Sequence, residues 1–147
     1  MKIFESIREA LKNKEVRIVL PEGEEPRILQ ATKRIVKETS ITPVLLGNPD
    51  KISIYLEIEG ITEGYEVIDP SNCSCFEEMV TALVERRKGK MTTEEARKVL
   101  TEDVNYFGVM LVYLGKVHGM VSGAVHSTAA TVRPALQIIK TLPWVSR

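Results

Sequence analysis

The sequence predicts a three-layer α/β/α fold built on a mostly parallel sheet. Two observations carry this. Short β-branched runs alternate with stretches whose apolar residues recur at helical spacing, and the first run–stretch–run order reads as a βαβ unit. The 147-residue length is also enough for one such domain with a substantial core.

The elements follow in order. Ile3, Phe4, Ile7, Ala10 and Leu11 repeat at helical spacing and give a short first helix. "VRIVL" (16–20) is a compact strand, stopped by "PEG" (21–23). Ile28, Leu29, Ile35 and Val36 mark one face of a helix from about 25 to 38, and "PVLLG" (43–47) is the second strand. Residues 51–60 are ambiguous: alternation at Ile52, Ile54, Leu56 and Ile58 says strand, whereas the rhythm of the neighbouring units says helix. "YEVID" (65–69) is a third strand, closed by Asp69-Pro70. A stripe of Phe76, Met79, Val80, Leu83 and Val84 predicts a helix over 76–87, ending in Arg86, Arg87 and Lys88 before Gly89. Thr93, Glu94 and Glu95 open another helix to about 100. Residues 105–114 are apolar and read as a buried helix, and "MVSGA" (120–124) as a short strand. Pro134 places the start of the last helix late, with Thr131 as its N-cap and residues 124–130 as a loop. Val132, Ala135, Leu136 and Ile139 then face the core. No repeat, low-complexity segment or linker interrupts residues 1–147, which read as one domain. The chain stops after a helix, where a parallel sheet normally continues with another strand.

Composition narrows the function classes. Hydrophobic residues are 44% and charged residues 27%, ordinary for a globular protein. Lys plus Arg and Asp plus Glu are 20 each, which argues against binding nucleic acid by bulk charge. No apolar run is long enough to span a bilayer, and residues 1–11 lack the apolar core of a signal peptide. A cytoplasmic protein without membrane or nucleic-acid partners is expected. Cys73 and Cys75 are expected as reduced thiols, since a bridge across one residue is strained and two thiols without nearby histidines make a poor zinc site.

Chemistry concentrates in "SGAVHSTAATVRPALQ" (122–137). Its strand–loop–helix setting puts it where open α/β sheets bind ligands. Unpaired first-turn amides make an anion site. Ser127, Thr128 and Thr131 could add hydroxyl donors, and Arg133 a planar fork matched to phosphate oxygens. On spacing alone, simple helix capping outweighs phosphate binding, because no Walker lysine or GxGxxG run accompanies the motif. His126 reads equally as a satisfied loop residue. Arg86 and Arg87 alone would be helix-end cations. Glu22 and Gly23 follow a strand and either edge a crevice or form an ordinary turn.

"VLPEGEEPRIL", "VERRKGKMTTEEAR", "NYFGVMLVYLG" and "MVSGAVHSTAATVRPALQIIKT" stand in this order from the start of the chain to about Thr141. Together they resemble the amino-terminal half of the phosphate acetyltransferases, with the phosphate butyryltransferases as weaker kin. The resemblance implies reversible acetyl transfer between CoA and orthophosphate, with acetyl-CoA, acetyl phosphate, phosphate and CoA as substrates and no cofactor or metal. It implies a first domain like that of the isocitrate and isopropylmalate dehydrogenases, incomplete here at the carboxyl end. By resemblance, Arg87 contacts a phosphate of CoA, and Arg133 holds phosphate or acetyl phosphate and stabilises the transition state. Ser127 and Thr128 line the same anion site, with Thr131 a weaker candidate. Family members run to about twice this length, and the aspartate thought to deprotonate the CoA thiol lies in their second half. The chain therefore reads as a truncated portion lacking that base. The remaining reading is a non-catalytic phosphate- or CoA-binding fragment. Ala130, His118 and Trp144 depart from the family pattern. A cut sheet edge implies self-association, and the family is often dimeric.

Overall fold

The computed structural model describes residues 2–145, so the last two residues of the "TLPWVSR" tail lie outside them. Four strands form one parallel sheet in the order β3-β2-β1-β4. They are β1 (Val16–Leu20), β2 (Ile41–Leu46), β3 (Glu66–Ile68) and β4 (Gly119–Met120). The helices are α1 (Lys2–Leu11), α2 (Pro26–Glu38), α3 (Pro49–Ile58), α4 (Phe76–Arg87), α5 (Thr93–Glu102), α6 (Val104–Tyr113) and α7 (Thr128–Ile138).

Side chains alternate across a strand, so one strand feeds both layers. In β2, Val44 and Leu46 join β1's Val19 against α4, α5, α6 and Ile138 of α7. Leu45 points the other way, into a smaller cluster with Leu29 of α2, Ile52 and Leu56 of α3, and Ile61. Helices thus cover both faces, as the alternation of runs predicts.

The ambiguous segment 51–60 is helical. Ile52 and Leu56 are buried, while Ile54 and Ile58 are exposed; the buried pair has i,i+4 spacing, which the period-2 pattern hid. The Asn48 side chain caps the helix on Lys51 N at 3.1 Å, and Pro49 occupies its first turn. α1 forms as expected but buries nothing: Ile3, Phe4 and Ile7 are exposed.

Three other expectations are corrected. Strand 120–124 shrinks to Gly119–Met120. After Val121 N bonds Val19 O at 3.0 Å, the amides of residues 123–126 turn away to the Glu22 carboxylate. α7 starts four residues earlier than the Thr131 cap predicts, because Ser127 is the N-cap, so residues 128–130 belong to the helix and not to a loop. Pro134 consequently lies well inside the helix, where it leaves the Ala130 carbonyl without a helical donor. Its ring is buried, and the buried pair on α7 is Pro134 and Ile138. Val132, Leu136 and Ile139, expected to anchor the helix, are 41, 45 and 42% exposed. Finally, Cys73 and Cys75 are joined by a disulfide and are not free thiols. The turn after Pro70–Asn72 brings their Cα atoms to 5.2 Å, within bridging reach.

Gly23 follows β1 where the chain passes over β2. A Cβ there would stand 2.5 Å from Leu46 O and 2.9 Å from Leu46 N. Backbone atoms of a central strand cannot swing aside as a side-chain tip can. Gly23→Ala is expected to cost about 2 kcal/mol, read as a lowered urea midpoint at unchanged slope. A midpoint equal to wild type would show that β2 yields freely.

Candidate anion site at the α4–α7 junction

Strands β1 to β3 run outward on one side of β1, and β4 returns on the other. The strand order therefore reverses between β1 and β4, where open α/β sheets form a crevice at their carboxyl ends. Two loops meet there, one after β1 carrying Glu22 and one after β4 leading into α7. Glu22 is buried, and its carboxylate accepts hydrogen bonds from four successive amides. Oε2 takes Gly123 (3.1 Å) and Ala124 (2.7 Å), while Oε1 takes Val125 and His126 (2.9 Å each). The His126 ring completes the set, with Nδ1 2.7 Å from Oε1. Burial, the largest single influence, pushes this carboxyl up. The Val125 amide, the His126 ring and the other amides together outweigh it and hold the pKa at about 2. An ionised Glu22 can only accept, so His126 carries its proton on Nδ1. The amides of residues 123–126, immediately before the cap of α7, are thus committed to a carboxylate of the chain itself.

The hydroxyls are partly committed too. Ser127 Oγ accepts from Ala130 N at 3.2 Å, and the Thr131 hydroxyl donates to Ser127 O at 3.1 Å. Thr128 is exposed in the first turn of α7. None of the three lines the cavity that α7 forms with α4.

That cavity has a volume of about 530 Å³. α4 and the turn after it supply Arg86, Arg87, Lys88 and Lys90. α7 presents Ala129, Val132, Arg133, Leu136 and Gln137 from one face, and Lys140 follows. Among the described residues, six cations and no carboxylate line it, beside a strip of apolar side chains. Arg87 and Arg133, 46 positions apart in sequence, share this lining. The Arg87 Nε is buried without a hydrogen-bond partner among the described residues. Crowding of like charge is felt at Lys140, whose ammonium is held below the usual lysine range, first by Arg86, then by burial and by Lys88, Arg87 and Lys90. Lys88 (φ 48) and Lys140 (φ 67) both hold left-handed backbone at the ends of α4 and α7, where glycine is usual. Such strain clusters at binding sites.

Arg86 has a different task. Its Nε donates to Ile138 O at 2.6 Å and its Nη2 to Ile139 O at 3.1 Å, with the guanidinium 5.2 Å above the Tyr113 ring. It satisfies the last carbonyls of α7 rather than those of its own helix. Tyr106 braces the floor by donating its hydroxyl to Gln137 Oε1 at 2.6 Å, and burial pushes that phenol up. Sequence reasoning missed Glu22 as a loop organiser, and it missed Lys90 and Lys140 as lining cations. The "RRKGK" cluster and the lysine of "QIIK" were the available signals for the lysines.

The arrangement can hold a ligand carrying several anionic oxygens and an apolar stretch. A family model described as phosphate acetyl/butaryl transferase matches residues 2–147. A phosphate acetyltransferase from Staphylococcus epidermidis is 51% identical over 142 residues, covering 96% of this chain and 43% of its own length. The solved structure of a phosphotransacetylase from Streptococcus pyogenes aligns with a TM-score of 0.92 at 48% identity, over 99% of this chain and 44% of its own. The EutD phosphotransacetylase from Staphylococcus aureus aligns with a TM-score of 0.88 at 46% identity, again over 44% of its length. The chain thus spans less than half the length of these relatives. With a family match along nearly its whole length, it belongs to the phosphate acetyl/butaryl transferase family.

Proposed function

We propose that this chain supplies the anion-binding wall of a phosphate acetyltransferase, which moves an acetyl group reversibly between CoA and orthophosphate. The carrying observation is the cavity in which Arg87 and Arg133 stand among six cations with no carboxylate in the lining. In this reading Arg87 and its neighbouring lysines hold the phosphates of CoA. Arg133 holds phosphate or acetyl phosphate and stabilises the charge that develops on the carbonyl and leaving oxygens. Ser127 and Thr128 serve as hydroxyl donors at the start of α7, and Thr131, whose hydroxyl donates to Ser127 O, is the weaker candidate. In the direction that consumes acetyl phosphate, the CoA sulfur bonds the acetyl carbon and the carbon–oxygen bond to phosphate breaks. The thiol proton leaves to a base. No cofactor or metal enters this scheme, and the setting is the cytoplasm and acetate metabolism.

One observation favours a second reading. Among the described residues, neither histidine nor a carboxylate lines the cavity, and a thiol is mostly protonated at neutral pH. A chain with this wall alone binds CoA and phosphate without turning them over quickly.

Thioester absorbance with CoA and acetyl phosphate, run beside calorimetric titration of CoA, separates the readings. Thioester formation supports the transferase, and butyryl phosphate used in preference to acetyl phosphate selects the butyryl member. Binding without turnover supports the second reading. A chain that neither binds CoA nor forms thioester contradicts both. Self-association through the exposed apolar side chains of α1 and α7 belongs to the same proposal and is read by ultracentrifugation.

A further inference from the structure

We infer that Glu22 is a positioning residue for the anion cavity: it sets where the chain enters α7, and so where Arg133 stands opposite Arg87. The inference rests on reading that cavity as a CoA and phosphate site. Glu22 itself is not part of the cavity lining. Its two oxygens instead gather the amides of residues 123–126 and the His126 ring. Successive amides converging on one point form a concave backbone nest, an arrangement that suits a free anion. Here the anion is a side chain from the other loop of the crevice. The very next residue, Ser127, caps α7. No slack separates the clasp from the helix, so the clasp fixes the axial start of α7. Arg133 lies six residues on, in rigid helix. Arg86 fastens the opposite end through Ile138 O and Ile139 O. α7 is therefore held at both ends by side chains of other elements, and only the Glu22 end belongs to the crevice.

A glutamine at position 22 offers one accepting oxygen and turns an NH2 group toward two amide donors. The loop then loses half of its acceptor and gains a donor–donor clash. The consequence for binding is specific. In Glu22→Gln, CoA affinity falls by about tenfold or more. Adding Arg133→Ala to Glu22→Gln costs little further, because Arg133 is already displaced. Adding Arg87→Ala still costs its full single-variant factor, since Arg87 stands on α4, which takes none of Glu22's hydrogen bonds.

The experiment is calorimetric titration of CoA, and of inorganic phosphate, into wild type, the three single variants and the two doubles, with folding checked by circular dichroism. Non-additivity confined to the Glu22–Arg133 pair supports the inference. A folded Glu22→Gln that binds like wild type overturns it, and so does a loss that adds independently to both arginines. Should Glu22→Gln fail to fold, His126→Ala removes one of the five contacts and carries the same cycle, where independent addition with Arg133→Ala is again the overturning result. A wild-type chain that binds neither ligand sinks the cavity reading, and this inference with it, which is distinct from wild-type binding with an indifferent Glu22.

Discussion

Removing both guanidiniums, Arg87→Ala with Arg133→Ala, is expected to weaken CoA binding by about a thousandfold, or ~4 kcal/mol. Each charge-assisted hydrogen bond to phosphate contributes about 1.5–3 kcal/mol, and Arg87 Nε has no hydrogen-bond partner among the described residues to compensate for a missing ligand. Stability should move the other way or not at all. The two arginines sit among four further cations, and deleting them relieves like-charge repulsion. Calorimetry reads the first effect and urea denaturation the second. CoA affinity in wild type should also fall as salt rises, because the lining acts by charge. A double variant that keeps CoA affinity within about tenfold of wild type would place the ligand elsewhere.

Acidification is expected to remove about 3 kcal/mol of stability through Glu22 alone. Its folded pKa of about 2 lies below the ordinary 4.5, and each pKa unit is worth about 1.36 kcal/mol. The sign follows from linkage. The unfolded chain takes up the proton first, so the contribution is whole above pH 4.5. It declines as pH falls and is gone once the pH drops through about 2. Other carboxyls are also held below their usual range, Glu25 by its hydrogen bond to Arg27 and Glu77 by its hydrogen bond to Arg97, and add to the acid dependence. The difference between wild type and Glu22→Gln isolates the one of interest. That difference should be largest at neutral pH and shrink below pH 4.5. A gap that stays constant down to pH 2.5 would mean that the carboxylate charge is irrelevant to the clasp.

Much of the architecture was legible because it is written locally. α4 spans Phe76–Arg87, as its apolar stripe and closing basic cluster predict. α5 starts at Thr93, as expected, behind an N-cap at Thr92 that forms a capping box with Glu95. The failures have local causes as well. The alternation from Ile52 to Ile58 imitates a strand because two of its four members, Ile54 and Ile58, are exposed residues of a helix. Pro134 delayed the predicted start of α7, since a proline inside a helix normally breaks it, whereas here its ring is buried and the lost bond is tolerated. At the site, Arg87 and Arg133 were named from motif resemblance, and the fold brings both to one cavity. Glu22 was named as a possible crevice edge, but its task of gathering residues 123–126 was out of reach for a different reason. Its partners lie 101 to 104 residues along the chain, and no period or spacing rule connects positions so far apart.

That separation has a kinetic consequence. β1 meets β2 through a short βαβ crossover, with Val16 beside Ile41. It meets β4 only after a loop of about a hundred residues has closed, with Ile18 beside Gly119. Closing a long loop spends chain entropy before any contact repays it, and contacts distant in sequence slow folding. The β1–β2 half is therefore expected to form first. The β1–β4 edge, the Glu22 clasp and the entry to α7 should arrive last, as the final act of folding. A chain emerging from the ribosome would thus carry a formed half-sheet well before it carries an anion site, because Arg133 cannot reach its place opposite Arg87 until that last strand has docked.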